Sequence, residues 1–326
     1  MRRRQFLKVA GAAMAGVTIA NATGRHLFAA GGEGGELEYT AEHYTKMRRY
    51  MPTSFGRIAY LDEGEGDAVL LLHGFPLNNF QWRGVIPRLA GSRRCLAPDF
   101  LGLGYSEVAA GQGVTPFDQV EMLAAFLDEL GVSSVDLIAN DSGGAVAQIF
   151  AVRYPSRVRS ILFTNCDVEP DSPPPALEPV IEMAREGTYP DMWLVPWLND
   201  KNLARSKDGL GGFCYSKPGH PTDEAIDMYL GPLVESEARK ALTNAYTLGL
   251  TPNPLAGIEA ELRKLEMPVR IIWGMADDIF AKESPDYLNQ VMQNSRGIRR
   301  LESAKLFFPE EYPEVIAEEA LKLWQL

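Results

Sequence analysis

The stretch "LIANDSGGAVAQ", residues 137–148, decides how this chain is read. A β-type run ends, a helical run begins, and small residues crowd the junction. A turn this sharp between strand and helix strains the backbone of its central residue and exposes that side chain at the helix N-terminus. Bulk beside it would clash, so the flanking positions must be small. Two registers fit this requirement unequally. With Asp141 at the centre the small residues are Ala139 and Gly143. With Ser142 at the centre they are Asn140 and Gly144, and Asn140 is not small. The Asp141 register is the better fit.

Outward from this turn, short β-type and helical runs alternate. "GRIAYLDEG", "AVLLLHGF", "RRCLAPDF", "SVDLIAND" and "RVRSILFTNC" read as strands. "FQWRGVIPRLAG", "TPFDQVEMLAAFLDELGV" and "GAVAQIFAVRYP" read as helices, the second with Thr115 as N-cap and Gly131 as stop. After residue 266 the rhythm resumes, with strands at "PVRIIWGMAD" and "GIRRLESA" and helices at "SPDYLNQVMQN" and "YPEVIAEEALKLWQL". Near-continuous apolar strands separated by helices imply an α/β fold with a mostly parallel central sheet and helices on both faces. Residues 168–266 break this rhythm. They are rich in Pro, Trp and Tyr, lack strand alternation, and read as an inserted helical cap. The core is therefore expected at 46–167 and 267–326.

Further turns point to one chemistry. "LLLHGFPLNNFQWRGVIPRLA" and "LAPDFLGLGYSE" precede the Asp141 turn, and a strand-borne "GMAD" follows the insert. Together these motifs resemble those of the epoxide hydrolase and haloalkane dehalogenase branch of the α/β-hydrolase fold superfamily. The resemblance covers the core segments and implies an Asp nucleophile at 141. It also implies backbone oxyanion donors at Phe75 and Ser142, and a catalytic acid at Asp277 with Asp278 as the alternative. The esterases of the same fold carry an HGGG loop where this chain has "HGFP", which disfavours a Ser142-based esterase. His73 belongs to the His-Gly motif and reads as structural.

The resemblance also requires a catalytic histidine after the last strand. Laid on "ESAKLFFPEEYP", that position falls on Leu306, with Lys305 and Phe307 beside it. The chain has four histidines, and the last, His220, lies inside the insert. A serine nucleophile must lose a proton on attack, whereas a carboxylate need not. The missing base therefore affects an Asp enzyme in its second step, hydrolysis of the covalent ester. His220, Asp277 acting on water, and Lys305 are the substitutes considered. In this branch cap tyrosines protonate an opening epoxide, which draws attention to Tyr189, Tyr215, Tyr229 and Tyr246. Trp82, Trp193, Trp197, Tyr215 and His220 are the candidate pocket residues. Dehalogenases usually place a Trp after the nucleophile to hold the halide, and Ser142 stands there instead. Three function classes follow: a hydrolase of a small apolar electrophile, a binding or sensing protein without turnover, and a non-hydrolytic lyase or isomerase.

Composition narrows the partners. The chain has 326 residues, 46% hydrophobic, with net charge −11. The first thirty residues carry only basic charges (Arg2, Arg3, Arg4, Lys8 and Arg25), so the remainder is more acidic still. Such a body is a poor partner for nucleic acid or anionic lipid. Three widely spaced cysteines, Cys95, Cys166 and Cys214, form neither a disulfide framework nor a zinc pattern. No metal or organic cofactor is expected. "MRRRQFLKVAGAAMAGVTIANATG" combines a basic start, a mildly apolar stretch and an Ala20-Asn21-Ala22 cleavage site, and resembles a twin-arginine export signal. Residues 1–30 are thus read as a signal, 31–45 as a flexible lead-in, and the protein as exported, with no stable membrane span after cleavage.

Overall fold

The computed structural model describes residues 38–326. The expected export signal and the first part of the lead-in lie outside them. The rest of the lead-in departs from the expectation of a flexible segment. Ala41–Met47 is a helix whose N-cap, Thr40, accepts a hydrogen bond from the amide of His43. Tyr44 anchors it, buried, with its ring edge-on to Phe80 at 4.9 Å between centroids. One large buried aromatic is enough to order a short helix that the Gly-rich residues before it do not announce.

The strands are β1 (Arg49–Thr53), β2 (Gly56–Glu63), β3 (Ala68–Leu72), β4 (Arg94–Pro98), β5 (Glu107–Val108), β6 (Val135–Asp141), β7 (Val158–Cys166), β8 (Val269–Gly274) and β9 (Ser295–Leu301). They form one sheet in the order β1-β2-β4-β3-β6-β7-β8-β9, with β5 paired to β2. From β4 to β9 neighbours are parallel, while β1, β2 and β5 make an antiparallel edge. Burial explains the split. Every residue of β3 and of β6 is buried, as expected for central strands covered on both faces, whereas β9 is only partly covered at the sheet's end. The chain leaves β3 for β4 on one side and returns to β6 on the other. The carboxyl ends of β3 and β6 therefore flank a crevice where the strand order reverses.

Helix Pro116–Glu129 carries a complete capping box between Thr115 and Asp118. Helix Ser142–Arg153 starts directly after β6. The helix expected over "FQWRGVIPRLAG" is instead a short 3-10 turn, Asn79–Trp82, and a single helical turn, Ile86–Leu89. Gly84 separates them, in close contact with Pro313, where a Cβ would lie 2.9 Å from the proline ring. Between β7 and β8 the named elements are all helical, among them Glu178–Arg185, Asp223–Val234 and Glu237–Gly249. The described residues, this helical excursion included, fall within one compact unit.

Candidate active site

Asp141 closes β6 with φ 54° and ψ −132°. Among the described residues it and Gln325 are the only non-glycine positions with positive φ. The glycines around it are steric necessities. A Cβ on Gly143 would lie 2.6 Å from the carbonyl oxygens of Leu72 and His73, and one on Gly144 would lie 2.3 Å from the Cβ of Cys166. Helix Ser142–Arg153 can therefore press its first turn against β3 and β7 only with glycine at both positions. Gly74 is required in the same way, since a Cβ there would strike Asp141 itself at 2.7 Å.

This contact brings the His-Gly-Phe-Pro turn onto the Asp141 turn. The Phe75 amide donates to Asp141 Oδ2 at 2.8 Å. His73 is fully buried between the amide of Phe100, which donates to its Nε2 at 3.0 Å, and the carbonyl of Gly74. Burial pushes its pKa down to about 4, so it is a neutral structural ring. The Asp141 carboxyl is held well above the usual range, first by burial and next by the negative charge of Asp167. The amides of Phe75 and Ser142 favour its anion without offsetting these effects.

Asn140, the residue that makes the Ser142 register a poor fit, is a buried hub. Its Oδ1 accepts from Gln81, and its Nδ2 lies within hydrogen-bonding distance of Thr164 Oγ1, the Asn165 carbonyl and the Leu306 carbonyl at 3.1 Å. The loop after β9 is thereby tied to the base of the Asp141 turn. Ser142 lines the same site, and its hydroxyl pairs with Tyr246 Oη at 3.0 Å.

The sequence-derived site residues are only partly brought together. Asp141, Ser142, Phe75, Leu306, Trp193 and Trp197 share one cavity of about 610 Å³. Asp277 does not line it. Its Oδ2 accepts from Asn165 at 2.7 Å and its Oδ1 from the Ile279 amide at 2.9 Å, and burial pushes its pKa up to about 6. Its neighbour Asp278 is exposed and does reach the cavity. Leu306 places a branched aliphatic side chain on the wall, while Lys305 Nζ donates to the Gly212 carbonyl at 2.6 Å.

Three pocket assignments are corrected. Trp82 is fully buried in the 3-10 turn, within the core rather than at the cavity. Tyr215 turns its hydroxyl to Glu310, and His220 stacks on Tyr215 with centroids 5.9 Å apart; neither lines the cavity. Conversely, the cavity holds residues outside that pocket set. Tyr189, only one of several cap tyrosines considered, lies 5.8 Å from the Phe75 ring, and no hydrogen-bond partner for its hydroxyl is found among the described residues. Cys214 and Asp167 also line the wall. Asp167 had a legible signal: it is the first residue after a strand, on the carboxyl edge that bears the other chemistry. Among the described residues no group of three or more His, Cys, Asp or Glu is placed to hold a metal ion.

Comparison with known proteins agrees with this architecture. The α/β hydrolase fold family model matches residues 67–204. The chain has the α/β-hydrolase fold. Its core is similar to haloalkane dehalogenase 2 of Mycobacterium bovis, at 38% identity over 122 residues, or 37% of this chain and 43% of the relative. The match thus spans less than half of that relative's length. A longer similarity, 26% identity over 249 residues (72% of this chain, 75% of the relative), connects it to the cis-3-alkyl-4-alkyloxetan-2-one decarboxylase of Shewanella oneidensis. Among solved structures, a ligand-free epoxide hydrolase superposes with a TM-score of 0.71, covering 85% of this chain and 98% of its own at 23% identity. That likeness shows the shared α/β-hydrolase fold. No helix among the described residues is long and apolar enough to cross a membrane.

Proposed function

We propose that this α/β-hydrolase-fold protein is an enzyme that opens a small apolar electrophile, an epoxide or haloalkane, by attack of the Asp141 carboxylate on carbon. The observation that carries this reading is the pose of Asp141. It sits on a strained elbow, one oxygen fixed by the Phe75 amide, at a cavity walled largely by Trp193, Trp197, Tyr189, Leu177, Leu210 and Leu306. In the first step the new carbon–oxygen bond forms as the carbon–halogen or epoxide carbon–oxygen bond breaks, with no proton taken from the nucleophile. The Phe75 and Ser142 amides are suited to the oxyanion that appears when water later attacks the ester.

Within this class the cavity favours an epoxide. The residue after Asp141 is Ser142, whose hydroxyl is engaged by Tyr246, so no indole N–H stands there for a halide. The Tyr189 hydroxyl is available to donate a proton to an opening epoxide oxygen. Export by the twin-arginine route belongs to the same proposal and rests on the N-terminal sequence. Exposing the protein to styrene oxide and to n-butyl bromide, with intact-mass measurement and product analysis, tests it. A diol or alcohol product, or an alkyl adduct, is expected, and both are lost in Asp141→Asn.

A second reading is supported by the decarboxylase relative and by the aliphatic residue at position 306. Expelling carbon dioxide from a strained four-membered lactone leaves an alkene and consumes no water. Such a lyase needs no water-activating base. An alkene released from a dialkyl oxetanone, with no product from styrene oxide or n-butyl bromide, would favour this reading.

A further inference from the structure

We infer that Asp167 is the water-activating base of this site, taking the role for which Leu306 has no chemistry. This rests on the reading of Asp141 as nucleophile. The register of β6 and β7 pairs Asp141 with Cys166, so Asp167 is the first residue beyond the end of the neighbouring parallel strand, whose backbone lies about 4.8 Å away. Both carboxyls line the cavity, which leaves room for a water against them. Asp167 is 6% exposed, and Ser172 Oγ donates to its Oδ1 at 2.8 Å, fixing the rotamer. Its own backbone amide also hydrogen-bonds the carboxyl, and among the described residues no other side chain donates to it.

The other candidates are engaged elsewhere. Asp277 faces Asn165 and the Ile279 amide, away from the cavity. His220 is stacked on Tyr215, outside the cavity wall, and Lys305 reaches the Gly212 carbonyl. The charges and titratable groups facing Asp167 are Asp141, Asp171, Cys166 and Tyr246. Burial, with a smaller push from Asp171, moves its carboxyl up to about 7, where a general base works well near neutral pH. Esterification of Asp141 removes the nearest negative charge just before the base is needed.

The step balances. Water oxygen bonds to the Asp141 ester carbonyl as Asp167 takes one water proton. The tetrahedral oxyanion is held by the Phe75 and Ser142 amides. Collapse breaks the bond from the ester carbonyl to the alkoxy oxygen and Asp167 returns the proton to the departing alcohol; Asp141 emerges as a carboxylic acid, and loss of the second water-derived proton to solvent restores its carboxylate.

The test follows the alkyl-enzyme formed with n-butyl bromide by intact mass, in the full chain and in Asp167→Asn. The expected result is adduct formation no slower than in the unsubstituted chain, since the charge that hinders Asp141 ionisation is gone, with adduct lifetime lengthened on the order of 10²–10⁴-fold. In the unsubstituted chain the breakdown rate should also climb with pH and level off above about 7. This second measurement keeps the test decisive should Asp167→Asn fold poorly. An adduct that decays equally fast in both proteins, or with no pH dependence, overturns the role of Asp167 and leaves Asp141 intact. Failure of both proteins to form an adduct or product with n-butyl bromide and with styrene oxide overturns both roles.

Discussion

At Asp141 two unfavourable terms coincide: a backbone at φ 54° and a carboxyl whose burial holds its pKa well above the usual range. The structure around it over-determines both, through three glycines that admit no Cβ and an amide that fixes one oxygen. Only the ionised form attacks carbon, so the rate of adduct formation should rise with pH as Asp141 loses its proton. Stopped mixing with n-butyl bromide across the pH range measures this, and a flat profile would mean a nucleophile that is already ionised or is another residue. The position of Leu306 makes a second prediction. Leu306→His, introduced where Asp167→Asn has removed the base, should shorten the adduct lifetime on the order of 10²-fold, measured by intact mass. No change would show that position 306 does not face the ester. Asp141, Phe75 and Leu306 were legible because each is fixed by a local motif. Asp167 was not singled out despite its place just after a strand, because its nearness to Asp141 comes from the register of β6 with β7, and Tyr189 stood as one of four cap tyrosines because only the folded chain sets it at the cavity.

Residues 305–311 are fastened to the helical excursion. The Phe307 amide donates to the Cys214 carbonyl at 3.0 Å, and Glu311 accepts from the amides of Ser216 and Lys217. Glu310 is buried against Arg83 and Tyr215. A buried ion pair stabilises little in net terms, but removing one partner strands the other. Glu310→Gln should therefore lower unfolding free energy by about 3 kcal/mol, with Glu38 remaining as a counter-charge for Arg83. Urea titration checks this, and a loss below about 1 kcal/mol would mean the Arg83 charge finds compensation elsewhere. The parallel strands and the helical insert were legible from apolar runs and their interruption. The ordered helix at Ala41–Met47 and the edge strand β1 were not, since one anchoring tyrosine and a polar, half-covered strand leave little periodic signal.

Among the described residues several carboxyls are buried with no salt bridge: Asp99, Asp167 and Asp277 are pushed up to about 6, about 7 and about 6, chiefly by burial. A carboxyl whose folded pKa exceeds its unfolded value binds more protons when folded, so stability falls as pH rises between the two values. For Asp167 that window runs from about 4 to about 7, and the full cost above it is at most about 4 kcal/mol. Glu318, held down to about 2 by Lys322 and Arg299, titrates below this window. Asp167→Asn should raise Tm at pH 8 and change it little at pH 4, and equal effects at both would assign the change to packing instead. The same carboxyl that is costly to the fold is the one placed to activate water, as expected where a site trades stability for reactivity. The account as a whole turns on Asp141 as a carbon-attacking nucleophile. Peptide mapping after exposure to n-butyl bromide tests this most directly. The predicted result is a single butyl group on the Asp141 carboxyl, absent in Asp141→Asn. A butyl group on Ser142 or Cys214, or turnover that survives Asp141→Asn, would contradict it.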